Sequence, residues 1–294
     1  MRYSNDQRAR MTVPAISKKH GRYEVERIGE IKPAERLVLE LAEKNIEIFR
    51  LEDARRILQA DGPTTSRVLR YLAGKRRVER IERGKYMFIP EHAGTDLRWT
   101  VDAIQVVPHL MDDCYMGFCS AMSYWDMTDQ IPYTVFVVST KMKRGFDFGY
   151  MRYRFVKLSK KKFFGSVELK YKKGTFRISS REKTIVDGLM HPEYCGMMPE
   201  VSKAMWNVRD DVDWEDVLDM ARKTGINVVL KRLGYMLSTL EIEDGITGKI
   251  KRLIKRYPYQ HFDNLGRHVE HLCSKEYGLM LNYTQRDLLR WMEF

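Results

Sequence analysis

Leu51–Pro90, LEDARRILQADGPTTSRVLRYLAGKRRVERIERGKYMFIP, contains the signals that decide the fold of the N-terminal part of this chain. Leu51–Gln59 has the apolar spacing of a short amphipathic helix. Asp61-Gly62-Pro63 predicts a tight turn. Pro63 stands at the start of the next helix, where the backbone N–H that proline lacks would have no partner within the helix. Thr64–Gly74 repeats the helical spacing, so the stretch predicts two short helices joined by a turn.

A hairpin signal follows these two helices. Val78–Ile89 alternates polar and apolar residues on both sides of Arg83-Gly84, which predicts two paired strands. Thr64–Pro90 carries eight Lys/Arg and two Asp/Glu. These charged residues lie on the faces opposite the apolar residues that would form a core. A helix pair and a hairpin that merely pack together would not require this charge. We therefore predict a winged helix-turn-helix, in which the second helix enters the DNA major groove.

The outward face of the second helix, together with the hairpin, supplies the residues expected to bind DNA. These are Thr64, Thr65, Ser66, Arg67, Arg70, Tyr71, Lys75, Arg76, Arg77, Arg80, Arg83 and Lys85. Arg67 or Arg70 is expected to read a guanine, because an arginine can donate two hydrogen bonds to that base. Arg80, Arg83 and Lys85 are expected to contact phosphates.

Two upstream elements complete a small domain predicted over residues 33–92. Pro33–Asn45 predicts a helix that begins at a proline, and Ile46–Phe49 predicts a strand that joins the hairpin. Residues 1–32 are polar and show little periodicity. We expect them to form a loosely ordered tail, with a basic arm on DNA as the alternative. His92–Leu97 is expected to be a linker.

Length and composition define the remainder. The 294 residues leave about 200 beyond the small domain, and 44% hydrophobic content is enough for a second core. No apolar run approaches the ~20 residues of a membrane span, and the N-terminus lacks the apolar segment of a signal peptide. We therefore expect a cytoplasmic protein that does not contact a membrane. No sequence signal predicts a bound cofactor.

The four cysteines, Cys114, Cys119, Cys195 and Cys273, are scattered along the chain without a CxxC pair. We expect buried free thiols rather than disulfides. A zinc site from His109, Cys114 and Cys119 is the less favoured alternative.

Residues 98–294 predict a second, larger α+β domain that is mainly helical after residue 199. Tyr133–Ser139 predicts a buried strand, and Val167–Ser179 a hairpin. Ser120 and Ser180 are expected to cap the helices that start at them. Lys183 and Asp187 are expected to form a surface pair on the second of these helices, with Lys183 anchoring the helix to the sheet as the alternative. The expected later helices span 199–208, 213–224, 226–240 and 246–256.

The net charge of +12 is unevenly distributed. Residues 93–140 carry one Lys/Arg and six Asp/Glu, whereas residues 141–183 carry 15 and three. The three carboxylates within residues 141–183 are too few to pair with all the cations there. This excess of positive charge predicts a surface that binds nucleic acid or an acidic partner. Its candidate residues are Lys141, Lys143, Arg144, Lys160, Lys161, Lys162, Lys170, Lys172, Lys173 and Arg177.

Several segments resemble the AbiEi family of bacterial and archaeal type IV antitoxins and related regulators. They are Arg67–Leu72 with Arg80–Tyr86, Gly117–Pro132, Ser180–Asp187 and His191–Gly196. Gly117–Pro132 is similar to the family's Ser-Ala-x-x-x-x-Gly-Leu-Thr-x-Gln-x-Pro run. Asp126-Met127 stands where the family usually has Gly-Leu, and the long N-terminal segment is not typical of the family.

The resemblance implies a winged helix that binds promoter DNA and a C-terminal antitoxin domain. It also implies a nucleotidyltransferase-like toxin as the functional partner, with direct contact between the two left open. The chain is then a DNA-binding repressor of its own promoter and not an enzyme. The oligomeric state stays open.

Two alternatives come from other classes of function. Glu168-Leu169-Lys170 on a predicted strand fits half of a restriction-type nuclease site, for which Asp147 is the nearest candidate for the missing carboxylate. An RNA-binding protein that uses residues 141–183 is the second alternative. A third cluster, Tyr124, Trp125 and Tyr133, is expected to pack in the core rather than to bind a ligand.

Overall fold

The computed structural model divides the chain into two compact units, residues 1–97 and 98–294. The structure describes residues 31–90, 102–172, 174–242, 245–263 and 272–293, and only the backbone of 16–19, 22–25 and 244. The expected linker, His92–Leu97, lies outside the described residues. Helices and sheets are mixed in both units, as the sequence predicts.

The described residues of the first unit form three helices, a three-stranded sheet and a separate hairpin. In chain order the elements are β1 (Ile16–Lys19), β2 (Arg22–Val25), α1 (Pro33–Glu43), β3 (Ile48–Arg50), α2 (Leu51–Leu58), α3 (Gly62–Gly74), β4 (Val78–Glu82) and β5 (Lys85–Phe88). The sheet has the order β3-β5-β4 and is antiparallel. The predicted helices and strands of residues 33–90 are therefore confirmed to within a few residues.

Apolar residues from all three helices meet the sheet in one small core. Leu37 and Leu41 of α1, Ala54 of α2 and Leu69 of α3 are buried there with Phe49 of β3. These residues recur at helical spacing, which is why a strip of each helix can be removed from water.

The β1–β2 hairpin was not predicted from the sequence. Ile16 pairs with Val25 and Lys19 with Arg22 in an antiparallel register. The expectation of an unstructured tail is therefore wrong for these eight residues. The β-branched and aromatic residues Ile16, Tyr23 and Val25 were the overlooked signal. The rest of the expected tail, apart from Ile31 and Lys32, lies outside the described residues.

The second unit begins with a six-stranded sheet and the helices that pack against it. Its elements are α4 (Ala103–Leu110), β6 (Cys114–Met116), α5 (Phe118–Tyr124), β7 (Thr134–Ser139), β8 (Phe146–Phe148), β9 (Met151–Lys157), β10 (Ser166–Tyr171), β11 (Gly174–Ser179) and α6 (Arg181–Met190). The strand order is β10-β11-β6-β7-β9-β8. Residue Lys173, in the β10–β11 turn, lies outside the described residues.

The direction of the strands decides which loops come together. β7 and β9 are parallel neighbours, β6 is antiparallel to β7, and β11 is parallel to β6. β10 is antiparallel to β11 and therefore runs in the same direction as β7 and β9. The carboxyl ends of β7, β9 and β10 consequently lie at one end of the sheet.

The remainder of the unit is mainly helical, as predicted. It contains α7 (Met197–Asn207), α8 (Trp214–Lys223), α9 (Asn227–Leu240), α10 (Asp244–Leu253), β12 (Gln260–His261), β13 (Cys273–Ser274), β14 (Leu279–Met280) and α11 (Gln285–Leu288), with short 3-10 turns at Pro192–Tyr194 and Arg290–Glu293. The last three strands form a small sheet of order β12-β14-β13. Among the described residues, no helix has both the length and the apolar character needed to cross a bilayer.

Ser120 does not cap α5, contrary to the prediction. The helix begins two residues earlier, with Gly117 at the N-cap. Ser120 is buried inside it, where its hydroxyl donates to the Thr134 carbonyl at 3.1 Å and accepts from the Phe136 N–H at 2.9 Å. Ser120 therefore links the helix to the neighbouring strand, and the sequence alone does not distinguish such a serine from an N-cap. The cap predicted at Ser180 is confirmed, since its hydroxyl accepts from the Lys183 N–H at 3.2 Å.

Lys183 and Asp187 form a buried ion pair, so the predicted surface pair is wrong. Both side chains are 0% exposed, and the Lys183 ammonium contacts Asp187 Oδ1. The α6 helix is covered on all sides, because every residue from Lys183 to Met190 is buried. The i,i+4 spacing correctly predicts that the two side chains pair. It does not predict which other elements cover the helix and bury the pair.

The surroundings of this pair are largely apolar. Lys183 Nζ lies 5.1 Å from the centre of the Phe164 ring, and Asp187 Oδ2 has no hydrogen-bond partner among the described residues. Burial raises the pKa of Asp187, and the adjacent Lys183 opposes that change. Removing one partner would therefore leave an uncompensated charge in the interior.

We expect Lys183→Met to lower the free energy of unfolding by about 3–5 kcal/mol, because it leaves Asp187 unpaired. The double substitution Lys183→Met/Asp187→Leu should be less destabilising than Lys183→Met alone, since it removes both charges. Urea denaturation of Lys183→Met, Asp187→Leu, the double variant and the natural chain measures this. Lys223→Met, at an exposed lysine 4.4 Å from the same Phe164 ring, is the matched control and should cost less than about 1 kcal/mol. A double variant that loses the sum of the two single losses would contradict the expectation.

Candidate nucleic-acid interface

The α3 helix is positioned by its cap and by its buried face. Asp61 Oδ1 accepts from the Thr64 N–H at 2.9 Å, and this hydrogen bonding lowers the pKa of Asp61. Leu69 and Leu72 are buried in the small core of the first unit. The opposite face of the helix is exposed and includes Thr64, Arg67, Arg70 and Tyr71. Lys75 and Arg76 are also exposed, but they follow the end of the helix. α3 therefore presents two arginines to solvent, and two more cations lie just after its C-terminal end.

Thr65 does not belong to this exposed face, contrary to the prediction. Its side chain is 0% exposed, and its hydroxyl donates to the Asp61 carbonyl at 2.8 Å. Thr65, Leu69 and Leu72 follow one another at helical spacing on the inward side, so Thr65 cannot reach a ligand. Ser66, the next residue, is partly exposed.

The hairpin β4–β5 supplies further cations at different degrees of exposure. Arg80 and Arg83 are exposed, whereas Arg77 is half-buried. Lys85 forms a 2.7 Å ion pair with Glu82, and the two side chains are only 16% and 15% exposed. A neighbouring carboxylate therefore compensates the charge of Lys85, which the sequence predicts to contact a phosphate.

Arginines from α3 and from the hairpin converge on one cleft. Arg70, Arg80 and Arg83 line a space of about 670 Å³, together with Ser66 and other side chains from α2, α3 and β5. Glu52 is the carboxylate among the lining residues, against three guanidinium groups. Arginine donates several parallel N–H groups and suits phosphate recognition. The cleft therefore has the chemistry to hold a phosphate backbone beside α3.

In the second unit, two basic loops lie at the carboxyl ends of parallel strands. Lys141 and Arg144 follow β7, and Lys160, Lys161 and Lys162 follow β9. We call these five residues the basic rim. The ends meet because Leu158 N–H donates to the Ser139 carbonyl at 2.9 Å. Among the described residues, no carboxylate lies within ion-pair distance of the basic rim.

Three other cations predicted for this surface are compensated. Lys172 is 3.2 Å from Asp102, and Arg177 is 2.7 Å from Asp113. Lys143 donates to the Leu110 carbonyl at 2.9 Å. The carboxylates come from the acidic stretch before residue 141, which α4 brings against the β10–β11 hairpin. Counting charges within 141–183 alone therefore overestimated the free cations. Lys170 is exposed on β10, and Lys173 lies outside the described residues.

The nuclease site suggested by Glu168-Leu169-Lys170 does not form with Asp147. Glu168 is on β10 and Asp147 on β8, the two opposite edges of the six-stranded sheet. Five strand spacings of ~4.8 Å separate these edges by roughly 24 Å, too far for one metal ion. Asp147 instead pairs with Arg152 at 3.1 Å.

The cysteines differ in exposure and do not form a zinc site in the part of the chain that the structure describes. Burial raises the pKa of Cys114 and of Cys119 to about 11. Cys114 and Cys195 are buried and Cys119 is half-buried, but Cys273 is exposed, so the expectation of a buried thiol is wrong for Cys273.

Comparison with known proteins identifies a related fold but no family. No family model matches the chain, and no curated protein matches it significantly. A solved structure, that of the RV2827C protein from Mycobacterium tuberculosis, is similar with a TM-score of 0.63 and 15% sequence identity. The similarity covers 89% of this chain and 95% of that protein. At this identity the likeness concerns the fold alone.

We expect Arg80→Ala and Arg83→Ala to weaken binding to a random-sequence DNA duplex, because each removes a cation from the cleft. The slope of log affinity against log salt should decrease by about 0.9 for each lost phosphate contact. Fluorescence anisotropy between 50 and 200 mM salt measures both quantities. Arg36→Ala, at an exposed arginine on α1 outside the cleft, is the control. Unchanged slopes in both cleft variants would contradict the expectation.

Proposed function

We propose that the chain is a DNA-binding transcriptional regulator whose residues 33–92 act as a winged helix-turn-helix. The observation that carries this proposal is the cleft in which Arg70 of α3 meets Arg80 and Arg83 of the hairpin. In this arrangement α3 enters the major groove and the hairpin is the wing that contacts the backbone. The exposed Arg67 and Arg70 are the candidates for reading bases.

We further propose that the regulator acts in the cytoplasm as the antitoxin of a type IV toxin–antitoxin system, similar to the AbiEi family. It would repress its own promoter and counteract a nucleotidyltransferase-like toxin. Asp126 supports the resemblance, because its φ of 55° is in the left-handed region that favours glycine. The family usually has glycine at this position, so the substituted residue keeps a backbone geometry that suits glycine.

The basic rim is proposed to support the regulator by contacting nucleic acid without sequence preference. Lysines on exposed loops contribute to the long-range field that attracts phosphates. An RNA ligand would use the same chemistry and is the second candidate. Catalysis is not part of the proposal, since Glu168 and Asp147 lie at opposite edges of the sheet.

Arg67→Ala and Arg70→Ala are expected to weaken binding to the duplex upstream of the chain's own gene more than binding to a random duplex. Loss of a two-hydrogen-bond contact to guanine costs about 1–3 kcal/mol, or roughly 5- to 150-fold in affinity. Competition titrations with both duplexes, and a reporter driven by the same upstream DNA, measure specificity and repression. The control is again Arg36→Ala. Equal losses on both duplexes would reassign these arginines to phosphate contacts, and no loss would overturn the proposal.

The triple charge reversal Lys160→Glu/Lys161→Glu/Lys162→Glu is expected to weaken binding to random DNA and RNA duplexes about tenfold or more at 50 mM salt. It should also reduce the rescue of growth when the chain is co-expressed with a neighbouring nucleotidyltransferase. Its control is the reversal of three exposed cations elsewhere in the second unit, Arg222, Lys223 and Arg252. Wild-type nucleic-acid affinity and full rescue would show that the rim is only a solvated surface.

A further inference from the structure

The end of the sheet opposite the basic rim carries a cleft with exposed apolar side chains. The segment before β7 places Ile131 and Tyr133 there, with 85% and 78% of their surfaces exposed. Together with Phe136, Glu193, Tyr194 and Glu200 they line a cleft of about 350 Å³. We call these six residues the aromatic cleft. The prediction that Tyr133 packs in the core is wrong.

The exposed side chains extend beyond the cleft onto the next turn. Tyr150, in the β8–β9 turn, is 87% exposed and lines a neighbouring depression together with Tyr133. The two turns are adjacent because the Arg152 N–H donates to the Tyr133 carbonyl at 2.9 Å. Ile131, Tyr133 and Tyr150 thus form one patch of the kind that marks a binding surface rather than scattered exposed residues.

The patch is held by hydrogen bonds among Thr128, Gln130 and Glu200. The Gln130 N–H donates to the Thr128 hydroxyl at 3.1 Å, and Gln130 Nε2 donates to Glu200 Oε2 at 3.1 Å. The Thr128 hydroxyl also donates to Glu200. The loop that displays Ile131 and Tyr133 is therefore fixed before any ligand arrives, which lowers the entropy lost on binding.

The charge of the aromatic cleft is opposite to that of the chain. Its lining contains the carboxylates of Glu193 and Glu200 and no lysine or arginine, although the chain carries a net charge of +12. Glu193 already contacts His191 Nδ1 at 3.1 Å. The groups that donate to Glu200, from Thr128 and Gln130, are neutral and leave its negative charge in place. Nucleic acid would be repelled here, whereas a cation would be attracted.

The aromatic wall of the cleft already contacts a cation. The guanidinium of Arg154 lies 5.7 Å from the centre of the Phe136 ring and 5.8 Å from that of Tyr194. Aromatic faces attract cations, and the attraction grows when the pair is shielded from water. These two rings can therefore contact a guanidinium, and Arg154 also places one positive charge beside the cleft.

We propose that the aromatic cleft binds a basic polypeptide segment of a partner protein. An arginine or lysine of that segment enters toward Glu200, and its apolar neighbours pack on Ile131, Tyr133 and Tyr150. The exposed apolar area distinguishes this ligand from a small cation, which would need no such patch. Tyrosine-rich patches around a cleft are typical of the residues that dominate binding energy at protein interfaces. This inference does not depend on DNA binding by the first unit.

The test uses the full chain and a phage-displayed library of random nine-residue peptides. Selected peptides are expected to contain Arg or Lys beside apolar residues, and their synthetic versions are titrated by fluorescence anisotropy. Tyr133→Ala should weaken binding about tenfold or more, and Glu200→Gln should weaken it while keeping the hydrogen-bonding shape. Tyr257→Ala, at a tyrosine that is 75% exposed elsewhere in the unit, should bind like the natural chain.

Several results would overturn the proposal. Peptides without enrichment of cations, or binding that is unchanged in Tyr133→Ala and Glu200→Gln, would show that the cleft does not recognise a basic segment. A concentration-dependent dimer in sedimentation that Tyr133→Ala abolishes would assign the patch to a second copy of the chain instead. Because Tyr133 is exposed, Tyr133→Ala should keep the melting temperature of the natural chain; a large decrease would show that the side chain is structural.

Discussion

The second unit depends on the buried contact between Lys183 and Asp187. The α6 helix that carries them is buried along its length between the sheet and the later helices, where neither charge could remain alone. Gly165 makes room for this contact, because a Cβ there would lie 2.9 Å from Lys183 Cβ. Its φ of +71° is also one that glycine adopts readily. The loop after β9 and the central helix are therefore fitted to each other.

Two other interior cations donate hydrogen bonds to backbone carbonyls. Lys231 donates to the carbonyls of Arg256, Pro258 and Gly278 at 2.8–3.2 Å. Arg232, next to it on α9, donates to those of Leu189 and His261. Carbonyl dipoles can replace hydration when several of them surround one ammonium or guanidinium group. These contacts tie α9 to α6 and to the small C-terminal sheet, so charged side chains join the layers of this unit.

The arrangement of charge in the second unit follows from strand direction. Loops after the parallel strands β7 and β9 carry the basic rim, while the segment before β7 and the β8–β9 turn carry exposed apolar residues near Glu193 and Glu200. Opposite ends of one sheet therefore differ in chemistry, with cations at one end and aromatic rings with carboxylates at the other.

The sequence by itself determined the local structure of residues 33–90, because each helix and strand there is specified by neighbours a few positions away. The cap at Asp61, the spacing of Leu69 and Leu72 and the glycine at position 84 all act within one turn or one hairpin. The same holds for the strand Thr134–Ser139 and for α7 to α10. Local spacing also predicted correctly that Arg70, Arg80 and Arg83 would be exposed.

Only the tertiary structure decided which of these residues share a site and which charges remain free. Lys183 and Asp187 have the spacing of a surface pair, and packing by distant helices buries them. Arg177 and Lys172 lack local partners and obtain them from Asp113 and Asp102, more than 60 residues earlier. The aromatic cleft joins residues 131–136 to residues 193–200. In each case the deciding contact links residues far apart in the chain, and a local pattern carries no information about such contacts.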